Sequence, residues 1–139
     1  MADRPTSPRR RMPDTQTSMA VVYARMQPFD CLLAENVGAA GVVDWPDAQS
    51  ERDVASCMLG RNMHTLQVLG SFAATVHLEA SFGSEEDWLA LTPYGATTAD
   101  ITAAGLYVFR YLFTVARINV TSWTSGTVAS CVLRSQLTG

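Results

Sequence analysis

The 139-residue chain contains no lysine, so all ten of its basic residues are arginine. It has only two histidines, His64 and His77, and neither stands beside a Gly-rich elbow or in a helical metal-binding motif. The motifs GxSxG, HExxH, GxGxxG and the P-loop are all missing, so the usual sequence signals of hydrolases, zinc proteases and nucleotide-binding proteins are lacking. We therefore expect no catalytic residue, no cofactor and no metal, and we predict that the protein is not an enzyme.

Cysteine is also scarce, and no apolar run is long. Cys31, Cys57 and Cys131 are far apart, odd in number and outside any CxxC pair, which predicts reduced packing residues. The arginines at residues 9–11 are followed by MPDTQTS, where a secretion signal would have an apolar segment. The apolar runs are too short and interrupted to span a bilayer. These absences predict a soluble protein with no membrane partner.

Charge is sparse and unevenly distributed. Charged residues make up 17% of the chain and hydrophobic residues 47%, which is typical of one compact domain. The first twenty residues have four Arg and two Asp, whereas the remainder has six Arg and eleven acidic residues. A net charge of −3 argues against a general nucleic-acid binder. Residues 1–18, with three of the six prolines and no apolar period, are predicted to form a disordered or extended arm, and residues 19–139 the folded domain.

The clearest pattern in the domain is the alternation of apolar and polar residues. In TVHLEAS, Val76, Leu78 and Ala80 would face one side of a strand, and ARINVTS shows the same alternation. Ser125-Gly126 predicts a hairpin turn into TVASCVLR. With FDCLLAE, VASCML, MHTLQVL, WLALT and LYVFRYLF also interpreted as strands, seven or eight result. The predicted fold is all-β: a single antiparallel β-sandwich, immunoglobulin-like or jelly-roll, with an extended N-terminal arm.

Two faces of the predicted strands suggest assembly. LYVFRY has apolar side chains on both faces, and the last strand has Val128 and Val132 on one face with Cys131 and Leu133 on the other. A second apolar face is weak evidence that a neighbouring subunit covers it.

An acidic tip and three tryptophans are the remaining candidates for binding. Glu85, Glu86 and Asp87 form a solvated hairpin tip or pair with arginine on a partner, because a contiguous triplet lacks the alternating spacing of calcium loops. Trp45, Trp88 and Trp123 either pack in the core or form a sugar-binding platform. Of the three, Trp123 is predicted to be the surface residue because it precedes Thr124-Ser125-Gly126.

The segments SFAATVHLEASFGSEEDWLAL, ITAAGLYVFRY and ARINVTSWTSGTVASCVL, in this order, resemble the head decoration, or cement, proteins of tailed bacteriophages. The similar parts are a Gly-led strand with a Trp after a short turn (Gly70 to Leu91), a Gly-Leu-Tyr strand entry (Gly105 to Tyr107) and an Arg-x-Asn-Val strand followed by Ser-Gly (Arg117 to Val132). The resemblance covers roughly half of the chain, about residues 70–133. Phage tail and fibre modules share the same β-sandwich sequence pattern. Residues 1–60 are outside the resemblance.

The resemblance implies a non-enzymatic virion structural protein, made in the host cytoplasm, that binds the capsid exterior and stabilises the shell. Its partner would be the major capsid protein, which such proteins often bridge as homo-oligomers, commonly trimers. The alternative is a glycan-binding β-sandwich module of a phage tail or baseplate. The residues expected to contact a partner are those of the basic arm, the acidic tip and the surface tryptophan: Arg4, Arg9, Arg10, Arg11, Glu85, Glu86, Asp87 and Trp123.

Overall fold

Two very long strands dominate the structure, a computed structural model that describes residues 27–82 and 87–138. The predicted arm at residues 1–18 lies outside these ranges. Within them the elements, in chain order, are β1 (Phe29–Val37), β2 (Gly41–Val42), a 3₁₀ turn (Pro46–Ala48), α1 (Glu51–Met58), β3 (Met63–Ser81), β4 (Leu89–Ala90), β5 (Gly105–Phe109) and β6 (Val115–Gln136).

All six strands of the described chain belong to one antiparallel sheet. β3 and β6 pair along their whole lengths, from Met63 opposite Gln136 to Ser81 opposite Val115. One half of this pair is flanked by β1 and β5, and the other half by the two-residue strands β2 and β4. The predicted all-β, antiparallel, sandwich-like fold is confirmed. The strand count was overestimated, because MHTLQVL and TVHLEAS lie in one strand, β3, and ARINVTS and TVASCVLR lie in one strand, β6.

The two layers of the sandwich are the two halves of this single bent sheet. A straight strand of 19 residues would be about 60 Å long. The ends of β3 are nevertheless joined through one short connection, residues 110–114. The ring of His64 stacks on Phe113 at 4.2 Å between centroids, and the next residue, Thr114, donates its backbone N–H to Ser81 O at 2.9 Å. β3 therefore folds back on itself, and its halves share one core.

Three bulges and two glycines produce the bend. β6 has 22 residues and β3 has 19, and three register shifts between Leu69 and Val76 accommodate the difference, with the extra residues all in β6. At Gly126 the φ angle is +86°, and a Cβ atom there would lie 2.3 Å from Ser71 O. Only glycine fits both the torsion angle and the space.

The predicted hairpin turn at Ser125-Gly126 is wrong for this reason. Gly126 pairs with Phe72 in the middle of β6, and its left-handed backbone bends a continuous strand. The bulge beside Val128 also changes the phase of the last segment. Val128, Cys131 and Leu133 are consequently all fully or almost fully buried, although strict alternation placed Val128 on the opposite face.

The segment VASCML, predicted as a strand, instead belongs largely to α1. Ser50 begins the helix with a capping box: its hydroxyl accepts from Asp53 N at 3.2 Å, and the Asp53 carboxylate accepts from Ser50 N at 2.9 Å. At the other end Arg61 donates to Cys57 O at 3.0 Å, which satisfies a helix carbonyl. The buried face of α1, which includes Val54 and Met58, packs with β1 and β6.

The core confirms the alternation predicted in TVHLEAS and ARINVTS. Both inward-facing sets lie in one buried cluster, together with residues of β1, α1, β5 and the other half of β3. Its largest fully buried side chains are Phe109, Leu33, Met58, Leu66, Leu78, Ile101, Ile118 and Leu133.

We predict that Gly126→Ala destabilises the protein much more than Gly95→Ala. The two glycines have nearly the same φ, +86° and +85°, but a Cβ at Gly95 has no heavy atom within 4 Å. The backbone penalty of about 1–2 kcal/mol is therefore common to both, and only Gly126 adds the clash with the β3 backbone. In urea unfolding, the loss should be larger for Gly126→Ala by about 2 kcal/mol or more. Equal losses would show that the bend does not need the close approach.

Candidate functional site

The predicted partner-contacting residues are only partly within the described chain. Arg4, Arg9, Arg10, Arg11, Glu85 and Glu86 lie outside residues 27–82 and 87–138. Asp87 is exposed at the edge of a groove that the sequence analysis did not single out. Trp123 lies on the exposed outer side of the bend, where its indole N–H donates to Gly126 O at 3.2 Å, and 38% of its surface is accessible. The structure does not bring Asp87 and Trp123 into one described pocket.

An apolar groove forms beside β4, and large hydrophobic side chains protrude around it. Phe82 is 82% exposed, Leu89 71% and Leu112 64%. The groove has a volume of about 230 Å³. We call it the apolar groove, and its lining residues are Ala80, Ser81, Phe82, Asp87, Leu89, Leu91, Tyr111, Leu112 and Phe113.

The groove arises because the second half of β3 has almost no edge strand to cover it. β4 pairs with β3 only at Glu79 and Ala80, and the connection at residues 110–114 crosses from β5 to β6 next to it. Scattered exposed hydrophobic residues are normal on a protein surface, but a cluster of large ones around one concavity is typical of a protein-binding surface. The corresponding sequence signal was the apolar run LYVFRYLF, which has apolar side chains on both faces and so predicted that a neighbouring subunit covers one of them.

A second concavity brings two of the three tryptophans together. This tryptophan cleft, with a volume of about 540 Å³, is lined by Val42, Val43, Asp44, Trp45, Gln49, Glu51, Trp88 and Arg117. Trp45 is fixed by a hydrogen bond from its Nε1 to Ala116 O at 2.9 Å. Gln49 is fixed by its Nε2, which donates to Leu32 O at 3.1 Å. The cleft therefore has walls that β1 and β6 hold in place.

One side of the tryptophan cleft contains a cation already stacked on an aromatic ring. The Arg117 guanidinium lies 4.2 Å from the centroid of the Trp88 ring. Its Nε donates to Glu79 Oε1 at 2.8 Å, and Asn119 Nδ2 donates to Glu79 Oε2 at 2.9 Å. Glu79 thus neutralises Arg117. Asp44 and Glu51 also line the cleft, and neither forms an ion pair with any described residue, which leaves two uncompensated carboxylates.

His64 and Ser135 form a contact that superficially resembles a catalytic pair. Ser135 Oγ lies 2.7 Å from His64 Nδ1, and Tyr111 O lies 3.2 Å from Nε2. Since a carbonyl only accepts, Nε2 carries the hydrogen and Nδ1 accepts from the serine hydroxyl. Both side chains are fully buried, and burial is the main cause that lowers the pKa of His64 to about 4. With no access for a substrate, the pair is a satisfied polar contact in the core.

The three thiols are free, as predicted, and all are buried. Burial is the main cause that raises the pKa of Cys31 to about 12, and the nearby Cys57 raises it further. Burial alone raises the pKa of Cys131 to about 12. Because the thiolate is the reactive form, these two side chains are poor nucleophiles. Among the described residues, no group of three or more His, Cys, Asp or Glu has the arrangement of a metal site.

We predict that His64 makes stability fall between about pH 6.5 and pH 4. The pKa of His64 is about 4 in the folded protein and 6.5 in the unfolded chain. Between these two values the unfolded chain therefore binds a proton that the folded chain excludes. The contribution is fully present above pH 6.5 and is lost on acidification, by an amount on the order of 3 kcal/mol. Asp30 contributes mainly below this interval: its hydrogen bond with Arg134 lowers its pKa from 3.8, so its own stabilising effect is lost only as the unfolded carboxyl takes up a proton near that value.

The measurement is chemical unfolding across this pH interval for the wild type, His64→Gln and His77→Gln. His64→Gln should be less stable at neutral pH and should lose most of the pH slope. His77 pairs with Asp100 at the surface, so His77→Gln is the matched control and should keep the slope. If His64→Gln declines as steeply as the wild type, the buried imidazole is not the cause.

We also predict that none of the three thiols reacts quickly in the folded protein. At about pH 8 a thiol with a pKa of about 12 is ionised in roughly one molecule in ten thousand. Cys57 is buried as well, and its Sγ is 3.5 Å from Asp53 O. A disulfide-exchange reagent should detect no fast thiol in native protein and three thiols in urea without reductant. A count below three in urea would reveal a disulfide and contradict the structural role.

No family model, curated protein or solved structure matches this chain. Within the described residues, no helix combines the length and the hydrophobicity that a membrane span requires.

Proposed function

We propose that this protein is a non-enzymatic virion structural protein that binds the outer surface of a phage capsid and stabilises the shell. The resemblance of residues 70–133 to phage decoration proteins suggests the partner, and the apolar groove is the observation that supports a protein-binding role. Phe82, Leu89 and Leu112 expose most of their side chains around one concavity. Such side chains gain free energy when a protein surface covers them.

The energetics fit a role in a repeating lattice. Complete burial of one exposed Leu or Phe side chain is worth about 1.5–3 kcal/mol, before the cost of association is subtracted. One small groove therefore gives a weak contact by itself. On an assembled shell several weak contacts form together, and the linked sites raise the overall affinity. A ligand that binds only the assembled shell also stabilises it by mass action.

The major capsid protein is the proposed partner of the groove. A homo-oligomer, such as a trimer on the lattice, could instead bury the groove between copies of the chain. In that case the groove would already be covered in the free protein, before it binds the shell. The two arrangements differ in the free protein: lattice binding leaves Leu89 and Leu112 exposed in solution, whereas self-association covers them.

Glycan binding is the alternative function, and the structure changes its candidate residues. Trp123, the predicted sugar platform, lies alone on the bend, whereas Trp45 and Trp88 meet in the tryptophan cleft. Sugar stacking needs an open ring face. Arg117 covers one face of Trp88, and the N–H of Trp45 is already bonded to Ala116 O. The cleft therefore has less open ring surface and fewer free N–H groups for a sugar than two tryptophans could provide.

We predict that Leu112→Asp and Leu89→Asp weaken binding to expanded capsids that were assembled without the protein. A carboxylate placed in an apolar contact loses the burial and adds a desolvation cost, so each change should lower the apparent affinity at least about tenfold. The measurements are saturation binding to the shells and the temperature at which the shells rupture. Wild-type protein should saturate a regular set of sites and raise the rupture temperature.

Leu106→Asp is the matched control, because Leu106 is 68% exposed but lies on β5 outside the groove. It should bind like the wild type. Saturable binding to host glycans, combined with no regular occupancy of the shell, would replace the capsid proposal with the alternative. Equal effects of Leu106→Asp and Leu112→Asp would show that the groove is not the contact surface.

A further inference from the structure

We propose that the tryptophan cleft binds an arginine side chain and that the basic arm of the same chain supplies it, from Arg9, Arg10 or Arg11. This inference does not depend on the capsid proposal, because it concerns a different surface and a contact within one chain. It assigns an occupant to a concavity in which the indole ring of Trp45 and two carboxylates have no cationic partner among the described residues.

The charge of the cleft selects a cation. Within residues 27–82 and 87–138, Asp44 and Glu51 form no ion pair, and Glu79 already neutralises Arg117. A guanidinium bonds a carboxylate through two parallel N–H groups and also stacks on an indole ring, so it matches both features of the cleft. The chain has no lysine, so the only long cationic side chains that it can offer are arginines.

The cleft already contains one example of this recognition. Arg117 stacks on Trp88 at 4.2 Å while it bonds Glu79 at 2.8 Å, and 24% and 12% of the respective side chains remain accessible. The same combination of an indole ring and carboxylates occurs at Trp45, beside Asp44 and Glu51. There the guanidinium is missing within the described chain. The proposed arginine would therefore form a second contact of the same kind, in which a guanidinium stacks on an indole ring and bonds a carboxylate.

The connection between arm and cleft is long enough. Gln49, which lines the cleft, donates to Leu32 O, so β1 passes next to the cleft shortly after its first residue, Phe29. Arg11 precedes residue 27 by sixteen positions, which an extended chain spans over at most about 55 Å. Tethered at this distance, an arm has an effective concentration of up to about a millimolar, so even a weak guanidinium contact forms within one molecule. The body is acidic and the arm basic, which favours the contact further.

The three tryptophan indole N–H signals of the full-length protein provide the test. NMR resolves them, and single Trp→Phe variants assign them. Simultaneous replacement of Arg9, Arg10 and Arg11 by Ala should shift the Trp45 and Trp88 signals. The Trp123 signal should not move, because Trp123 lies on the bend and serves as an internal control. In wild-type protein the signals should stay constant on dilution, as expected for a contact within one chain.

A synthetic peptide of residues 1–18, added to the triple-Ala variant, should return the Trp45 and Trp88 signals toward their wild-type positions in a saturable and salt-sensitive way. Asp44→Asn with Glu51→Gln should lower the peptide affinity at least about tenfold. Glu35→Gln, which changes an exposed carboxylate outside the cleft lining, should leave it unchanged. A peptide with Ala at positions 9–11 should produce no shift.

Three results would overturn the proposal. If the triple-Ala variant leaves the Trp45 and Trp88 signals in place, the arm does not occupy the cleft. If the wild-type signals change on dilution, the arm of a second copy is the occupant and the same-chain assignment is wrong. If a glycan saturates the cleft signals while the arm peptide does not, the cleft is a sugar site. A variant that fails to fold would be recognised from its Trp123 signal, and the peptide titration in the Glu51→Gln single variant would then decide.

Discussion

Two positions without side chains, Gly70 and Gly126, let the backbones of β3 and β6 come together at the bend. A Cβ at Gly70 would lie 2.4 Å from Thr127 O, and one at Gly126 would lie 2.3 Å from Ser71 O. If β3 and β6 paired as a straight ribbon, the inner faces of their halves would have no second layer, and a long two-stranded ribbon is not stable by itself. The bend turns one ribbon into both layers of a sandwich. The shared core and the stacking of His64 on Phe113 follow from it.

The same bend explains why candidate binding surfaces lie where they do. Each half of the β3–β6 pair needs flanking strands, and the half that contains Val76–Ser81 obtains only two residues from β4, two from β2 and a single bridge from Ile101 to Val76. The groove forms where β4 is too short to cover the sheet. The cleft forms where the chain between β2 and α1 passes over Arg117. Short edge strands protect against edge-to-edge aggregation, and they also leave side-chain surface open for a partner.

Local patterns in the sequence were sufficient to predict the fold class and much of the core, but not the bend. The alternation around Leu78 and Ile118 predicted strands with the correct buried faces, because it depends only on the period of a pleated strand. Gly126 gave the signal of positive φ, yet the sequence cannot distinguish a turn from a bulged bend, since the difference lies in its partner Phe72, 54 positions away. The pairing of Trp45 with Trp88 and the protection of His64 by Ser135 are likewise long-range contacts that no local pattern contains.

The groove and the cleft are separate surfaces that adjoin along one short segment of backbone. Along residues 87–91, Trp88 faces the cleft, whereas Asp87, Leu89 and Leu91 face the groove, as the alternation of an edge strand requires. Leu112 reaches the groove from a different segment, the connection between β5 and β6. The two surfaces also differ in their forces: apolar burial in the groove responds weakly to salt, while charge pairing in the cleft weakens as salt rises. Salt dependence therefore separates occupancy of the cleft from occupancy of the groove, even though one strand edge serves both.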